Sequence, residues 1–276
     1  MKFTQKLSKA VNEADSYLCV GLDPYLERIP QNIKNVYSCA EEQVIHFLKR
    51  VIEITAPHCA AFKPNLGFFE ALGADGFRVF QQVISFIPEN KIIIADAKRG
   101  DISSTADHYA SAFFEKFDID ALTLNPLMGF EALHPFLEYE NKGVFVLTLT
   151  SNPGASDFLK QPFAGHKSMA EYIAAKLKTI NDKSAAHAGM VVGATQAKEI
   201  EDVIGHHPKA ALLIPGMGEQ GGSVDALKTV LQKHPGTPLF NSSRGILYAG
   251  EGSQNWKQEV KKQAIHSKEH LNTILR

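Results

Sequence analysis

Eight short apolar runs, each closed by a polar residue, a proline or a glycine, constrain this chain more than any other feature. They fall at 17–23, 59–63, 91–98, 121–125, 143–150, 189–193, 211–215 and 238–245. Runs of this length, rich in β-branched residues, suit strands buried on both faces of a parallel sheet. A helical or helix-length segment follows each one. Strand and helix alternating eight times predict an α/β fold, the (β/α)8 TIM barrel, with residues 1–276 as a single domain. An open doubly wound sheet is the structural alternative, but the Gly-x-Gly-x-x-Gly expected after its first strand is missing.

The helical segments carry their own signals. Phe3, Leu7 and Val11 share one side of a helix within 1–16. Ser38 and Glu41 have capping-box spacing ahead of Val44, Leu48, Val51 and Thr55. Further helices are expected over 103–117, 169–186 and 196–204, with a closing helix through Trp256, Val260 and Ala264. Residues 152–167 lack periodicity, and a loop of that length at a strand end suits a lid or binding loop.

Composition excludes several classes of function. A formal net charge of −1 offers nothing to nucleic acid or an anionic membrane. No apolar run approaches the ~20 residues of a membrane span, and the first residues lack the apolar core of a signal peptide. The three cysteines, Cys19, Cys39 and Cys59, cannot all pair with one another and form no Cys-x-x-Cys, which suits a reducing, cytoplasmic compartment. The eleven histidines are expected to be scattered over the surface, so no metal site is predicted.

In the stretch 91–102, alternation puts Ile92, Ile94, Asp96 and Lys98 on one strand face, apolar at one end and charged at the other. Asp101 follows just past Gly100. Two carboxylates around one ammonium would hold that lysine charged and in place. A single Asp-x-Lys pair would be read as a salt-bridged strand end, but the other strands add to it. In a barrel all strand ends open on one face, and they supply Asp23, Lys63, Asp96, Lys98, Asn125, Thr150 and Arg244. Gly216, Gly218, Gly221 and Gly222 after the seventh strand, with Arg244 after the eighth, predict a phosphate site at a position where many barrels hold one.

Taken together, Gly21-Leu-Asp23, the Lys63 strand, Asp96-Ala-Lys98-Arg-Gly-Asp101-Ile102, Thr105, Ser151-Asn-Pro-Gly-Ala155, Pro215-Gly-Met-Gly-Glu-Gln220-Gly-Gly and Ser243-Arg244-Gly245 resemble the orotidine 5′-phosphate decarboxylases. The resemblance runs from about Tyr17 to Gly250, and the 152–167 segment suits the longer bacterial form. It implies decarboxylation of orotidine 5′-monophosphate to UMP in de novo pyrimidine synthesis, with neither cofactor nor metal. Lys98 would protonate C6, and Asp96 would lie beside the departing carboxylate. Lys63 and Asp101 would complete an alternating charge network. Asp101, Ile102 and Thr105 would reach the neighbouring site of a homodimer. Asp23 would bind the ribose and Ser151 the pyrimidine edge. Gln220 and Arg244 would bind the phosphate, with Pro215 and Ser243 in the same binding motifs. Arg99 and Ser103 depart from residues that some members carry there.

Two other functions fit the same frame. A sugar-phosphate decarboxylase or aldolase of the same superfamily resembles it through Asp-x-Lys-x-x-Asp, but would need Mg²⁺ where Lys63 stands. A non-catalytic nucleotide-phosphate binding barrel would need the phosphate loops and not the flanked lysine.

Overall fold

A computed structural model describes residues 1–193, 197–216 and 224–275. Eight parallel strands close into a barrel in sequence order: β1 Leu18–Leu22, β2 Ala61–Pro64, β3 Ile92–Arg99, β4 Ala121–Leu124, β5 Gly143–Leu149, β6 His187–Val192, β7 Leu212–Pro215 and β8 Pro238–Ser242. The (β/α)8 expectation holds and the open-sheet alternative fails, because β8 pairs with β1, Cys19 standing opposite Asn241.

Strand alternation divides the buried apolar residues into two cores. Outward-facing residues such as Val20, Phe62, Leu122 and Val146 pack under the surrounding helices. Inward-facing residues, among them Cys19, Ala61, Ile92, Ile94, Phe145, Leu213 and Leu239, fill the barrel. The helix Phe3–Ala14 closes its lower end with Phe3, Leu7 and Val11. Gly143 makes room for that plug, since a Cβ there would stand 2.6 Å from the Phe3 ring.

Several local expectations are corrected. The Ser38 capping box does not form: the helix Ala40–Thr55 starts one residue too late, with Cys39 at its N-cap. The loop after β1 contains two short helical turns, Leu26–Arg28 and Gln31–Lys34. The helix predicted over 169–186 is Met169–Asn181, and beyond it the Ala185 and Ala186 amides both bond the Leu137 carbonyl, at 3.1 and 3.0 Å. The helix after β3 continues from Ser103–Ser111 into a π-turn over Ala112–Lys116 that buries Phe113 and Phe114.

Not all of the histidines lie scattered over the surface. His187, His207 and His234 lie at the lower barrel end, where their rings satisfy backbone groups that strand pairing leaves open. His266 and His270 stand four apart on the last helix, Trp256–Leu275, with ring centroids 6.4 Å apart. Among the described residues no helix is long and apolar enough to cross a membrane.

Candidate active site

The inward positions one layer above the apolar core are polar. Gly21 pairs in register with Lys63, and Asn65 bridges to Asp96. Asp96 is the hub. Its Oδ2 accepts from Lys63 Nζ at 2.6 Å, and its Oδ1 accepts from Lys98 Nζ at 2.5 Å and from Thr123 Oγ1 at 3.1 Å. Lys63 and Asp96 are nearly enclosed, with side chains 5% and 12% exposed, whereas Lys98 at 49% opens to the rim. One carboxylate thus holds a buried ammonium on one side and an accessible one on the other.

The path of the chain to Lys98 differs from the regular strand predicted. Ile94 pairs with Ala121 and Ala95 with Leu122, but the next partner of Leu124 is Arg99, so β3 bulges between. Thr123 replaces the missing ladder: its Oγ1 accepts from the amides of both Ala97 and Lys98, at 3.1 and 2.9 Å. Lys98 itself has φ of +48°, a left-handed conformation rare outside glycine and asparagine. Thr123 was not among the residues expected at the site. Its signal was a polar residue at an inward position of an apolar strand, two residues after inward-facing Ala121.

Beyond the bulge the chain turns outward. Asp101 does not join Asp96 around Lys98 within one chain, because its Oδ1 accepts instead from the amide of Ile102, at 2.8 Å. Ile102 and Thr105 are exposed. The two-carboxylate cage predicted around Lys98 is therefore not made by a single chain. Arg99 packs away from the rim, paired with Glu70 and lying 5.3 Å over the Tyr109 ring. Gly100 lets the loop after β4 approach, since a Cβ there would meet the Asn125 carbonyl at 2.5 Å.

Around the rest of the rim, Asp23, Asn241 and Ser243 present buried oxygens without partners: Asp23 Oδ1, Asn241 Oδ1 and Ser243 Oγ. Buried polar atoms are normally bonded, so unmet acceptors and a hydroxyl at a barrel mouth are candidate contacts for a polar ligand. Gly21 is what permits this crowding, a Cβ there falling 2.7 Å from that of Ser243. Asn241 was not among the predicted residues. Its signal was again a polar side chain at an inward position. The Tyr248 hydroxyl donates to the Asp23 carbonyl at 3.0 Å and accepts from the Tyr25 amide at 2.6 Å, fixing the loop that carries Asp23.

Ser151 follows β5 and lies against the end of β6, where a Cβ on Gly193 would meet its amide at 2.5 Å. Pro215 ends β7, and Gly216 follows with φ of +97°. Arg244 opens a short helical turn, Arg244–Leu247, just past the end of β8, and is exposed. Gln220 and the remaining glycines of that loop lie outside the described residues.

Burial opposes charge on Lys63, yet the nearby Asp96 and Asp23 carboxylates overcome it and hold the ammonium's pKa above the usual lysine range. Burial likewise opposes ionisation of Asp96, and the Lys63 and Lys98 charges reverse that, holding its carboxyl well below the usual carboxylate range. Burial pushes the neighbouring Cys19 thiol up to about 12, so it stays neutral and packs as an apolar residue. Both Asp96 oxygens are taken by ammonium groups, and a buried Lys63 ammonium beside them repels a divalent cation at that carboxylate.

A barrel whose strand ends focus two lysines on one buried aspartate, beside unmet polar acceptors, defines an enzyme class that works on small anions by fixed charge. Residues 16–258 match the model of the orotidine 5′-phosphate decarboxylase / HUMPS family. The chain is 41% identical over 258 residues to orotidine 5′-phosphate decarboxylase of Dehalococcoides mccartyi strain CBDB1, covering 92% of each. It is 40% identical to that of Phocaeicola vulgatus over 249 residues, 89% of each. The solved structure of Leishmania donovani OMP decarboxylase superposes with a TM-score of 0.82 at 32% identity, covering 100% of this chain and 99% of that one. The chain belongs to the orotidine 5′-phosphate decarboxylase / HUMPS family.

Proposed function

We propose that this protein decarboxylates orotidine 5′-monophosphate to UMP in pyrimidine synthesis, and that it does so in the cytoplasm as a homodimer. The observation that carries the reading is the Lys63–Asp96–Lys98 chain, with its one accessible ammonium at the rim. Breaking the bond from C6 to the carboxylate releases carbon dioxide and leaves the electron pair on C6. That pair lies in the ring plane and has no π-system to spread into. The Lys98 ammonium stabilises the developing charge and then donates its proton to C6, and solvent restores the lysine. Asp96 holds Lys98 in position and faces the substrate carboxylate. Lys63 neutralises the far side of Asp96, so that the site does not carry an unpaired buried charge.

Asp23, with its unmet Oδ1, binds the ribose, assisted by Ser243. Ser151 reads the pyrimidine edge. Arg244, Gln220 and Pro215 surround the phosphate, whose binding energy organises the rim for a reaction some distance away. Asp101, Ile102 and Thr105 serve the neighbouring subunit. Three exposed apolar side chains on the loops after β3 and β4 support that assembly: Ile102, Leu127 and Met128.

The decisive test is the ultraviolet absorbance change on adding orotidine 5′-monophosphate, with and without EDTA. Conversion to UMP insensitive to EDTA is expected, and folded protein without turnover would sink the assignment. Orotidine lacking the phosphate should bind far more weakly, and Arg244→Ala should lose a few kcal/mol of nucleotide affinity. For the dimer, Lys98→Ala and Asp101→Ala chains, each inactive alone, should regain activity when mixed, because a heterodimer contains one complete site.

A further inference from the structure

Outside the barrel strands, the segment that follows β5 meets two helices at a group of metal-ligating side chains. His166 lies in that segment, in a tight turn closed by the Phe163 and His166 backbones at 3.3 and 2.9 Å. Glu171 sits in the first turn of the helix Met169–Asn181 and is buried. His206 follows the end of the helix Ala197–Gly205. One ligand atom from each of the three lies within 4.8 Å of the other two.

Known local interactions do not exhaust these groups. Glu171 takes part in a helix cap, its amide bonding Ser168 Oγ at 3.2 Å and its Oε2 accepting weakly from the Lys167 amide at 3.3 Å. His206 Nε2 stands 3.5 Å from that same Oε2, too far for a good hydrogen bond. The His166 ring packs 5.3 Å from the His206 ring at 70°, edge against face, with no polar partner among the described residues. A carboxylate and two imidazoles from three separate segments are therefore brought together without being consumed by one another.

We propose that His166, Glu171 and His206 form a binding site for a divalent transition metal of the zinc type. Two imidazole nitrogens and one carboxylate are a donor set that zinc accepts, with water in the fourth position. Ligands of a tetrahedral zinc stand about 3.3 Å apart, so the widest separation must close by roughly 1.5 Å, within reach of a side-chain rotation on the loop. Asp202 pairs with both Lys198 at 3.0 Å and Lys167 at 3.9 Å, which offsets part of the positive charge on these two side chains. The ion would tie the segment after β5 to both helices, supplementing the Lys160–Glu199 ion pair at 2.8 Å. This site is separate from Lys98 and independent of the decarboxylase reading.

The test is titration of the metal-stripped, full-length protein with Zn²⁺ by calorimetry, and with Co²⁺ followed by its visible absorption. One equivalent should bind per chain and raise the thermal midpoint. His166→Ala, His206→Ala and Glu171→Gln should each weaken binding at least tenfold, while His270→Ala, on the last helix, leaves it unchanged. His166 is on a loop, so its variant keeps the fold, which circular dichroism verifies. Absence of stoichiometric binding by wild type overturns the proposal. So does binding that survives loss of both His166 and His206, or that disappears with His270→Ala.

Discussion

The two ends of this barrel use the same strands and opposite electrostatics. At the upper rim, Lys63 and Asp96 keep their charges in a nearly enclosed place, with the accessible Lys98 ammonium beside them. At the lower end, three histidines remain neutral: burial lowers the pKa of His187 to about 4 and also depresses His207 and His234. His187 Nε2 accepts from the Ala211 amide at 3.0 Å, which requires an unprotonated nitrogen. His207 and His234 bond the carbonyls of Ala188 and Ala210 at 3.0 and 2.8 Å. Burial penalises charge at both ends. Charge survives where partners of opposite sign surround it, and is expelled where the neighbours are backbone dipoles. One end is thereby equipped for chemistry and the other for cohesion.

Substitutions should separate the two ends cleanly. The largest effect expected is Lys98→Ala, which should lower kcat by ~10⁴-fold or more while UMP still binds, because the variant loses both acid and fixed charge. Near-normal turnover in a folded variant would remove Lys98 from its role.

Acid should act first on the lower end. His187 has a folded pKa of about 4 against an ordinary value of 6.5, so the unfolded chain takes up the proton first as pH falls. Stability is fully present above about pH 6.5 and declines toward pH 4, by up to about 3 kcal/mol from this residue. The Asp96 contribution has a lower window, present above the ordinary carboxylate range near pH 4 and lost below it. Urea midpoints measured from pH 7 to 4 should fall in wild type and fall less steeply in His187→Gln. Parallel slopes in the two proteins would assign the acid loss elsewhere.

Thr123→Val keeps the shape of the side chain but removes the hydroxyl that supports the bulge. A loss of about 100-fold in kcat, with KM changed little, is expected, since the hydroxyl positions Lys98 and Asp96 without needing to touch substrate. A change confined to KM would instead make it a binding residue. The smallest effect is expected from Gly143→Ala, which crowds Phe3 and should cost about 1–3 kcal/mol in stability with kcat unchanged.

Lys63 and Asp96 could be placed from the sequence because parallel strands in a barrel all end on one face, so a polar residue closing an apolar run already has an address. Lys98 does stand beside Asp96, but not by the regular strand alternation that the sequence suggests. Its reach to Asp96 depends on the bulge opposite Thr123, a matter of register between β3 and β4 that neither strand contains alone. The residues alone pointed Asp101 inward to Lys98, whereas the family resemblance sent it toward a neighbouring subunit, and its outward turn agrees with the second. His187, His207 and His234 were misjudged because their partners are carbonyls and amides of neighbouring strands, which come within reach only after the barrel closes. Ser38 misled in the opposite direction: the spacing of a capping box is present, but the chain enters the helix from Cys39.

Lys98 also occupies a backbone conformation that favours glycine. Holding a lysine there costs about 1–2 kcal/mol, comparable to or greater than the ~0.5–1 kcal/mol that glycine's extra chain freedom would cost. A Lys98→Gly protein would shed that backbone strain, lose the ammonium that pairs with Asp96 Oδ1, and be inert. Folding and chemistry pull this position in different directions. In a lineage that no longer needed the reaction, purifying selection would relax here with no backbone penalty to slow the loss, so a sound barrel could outlive its activity.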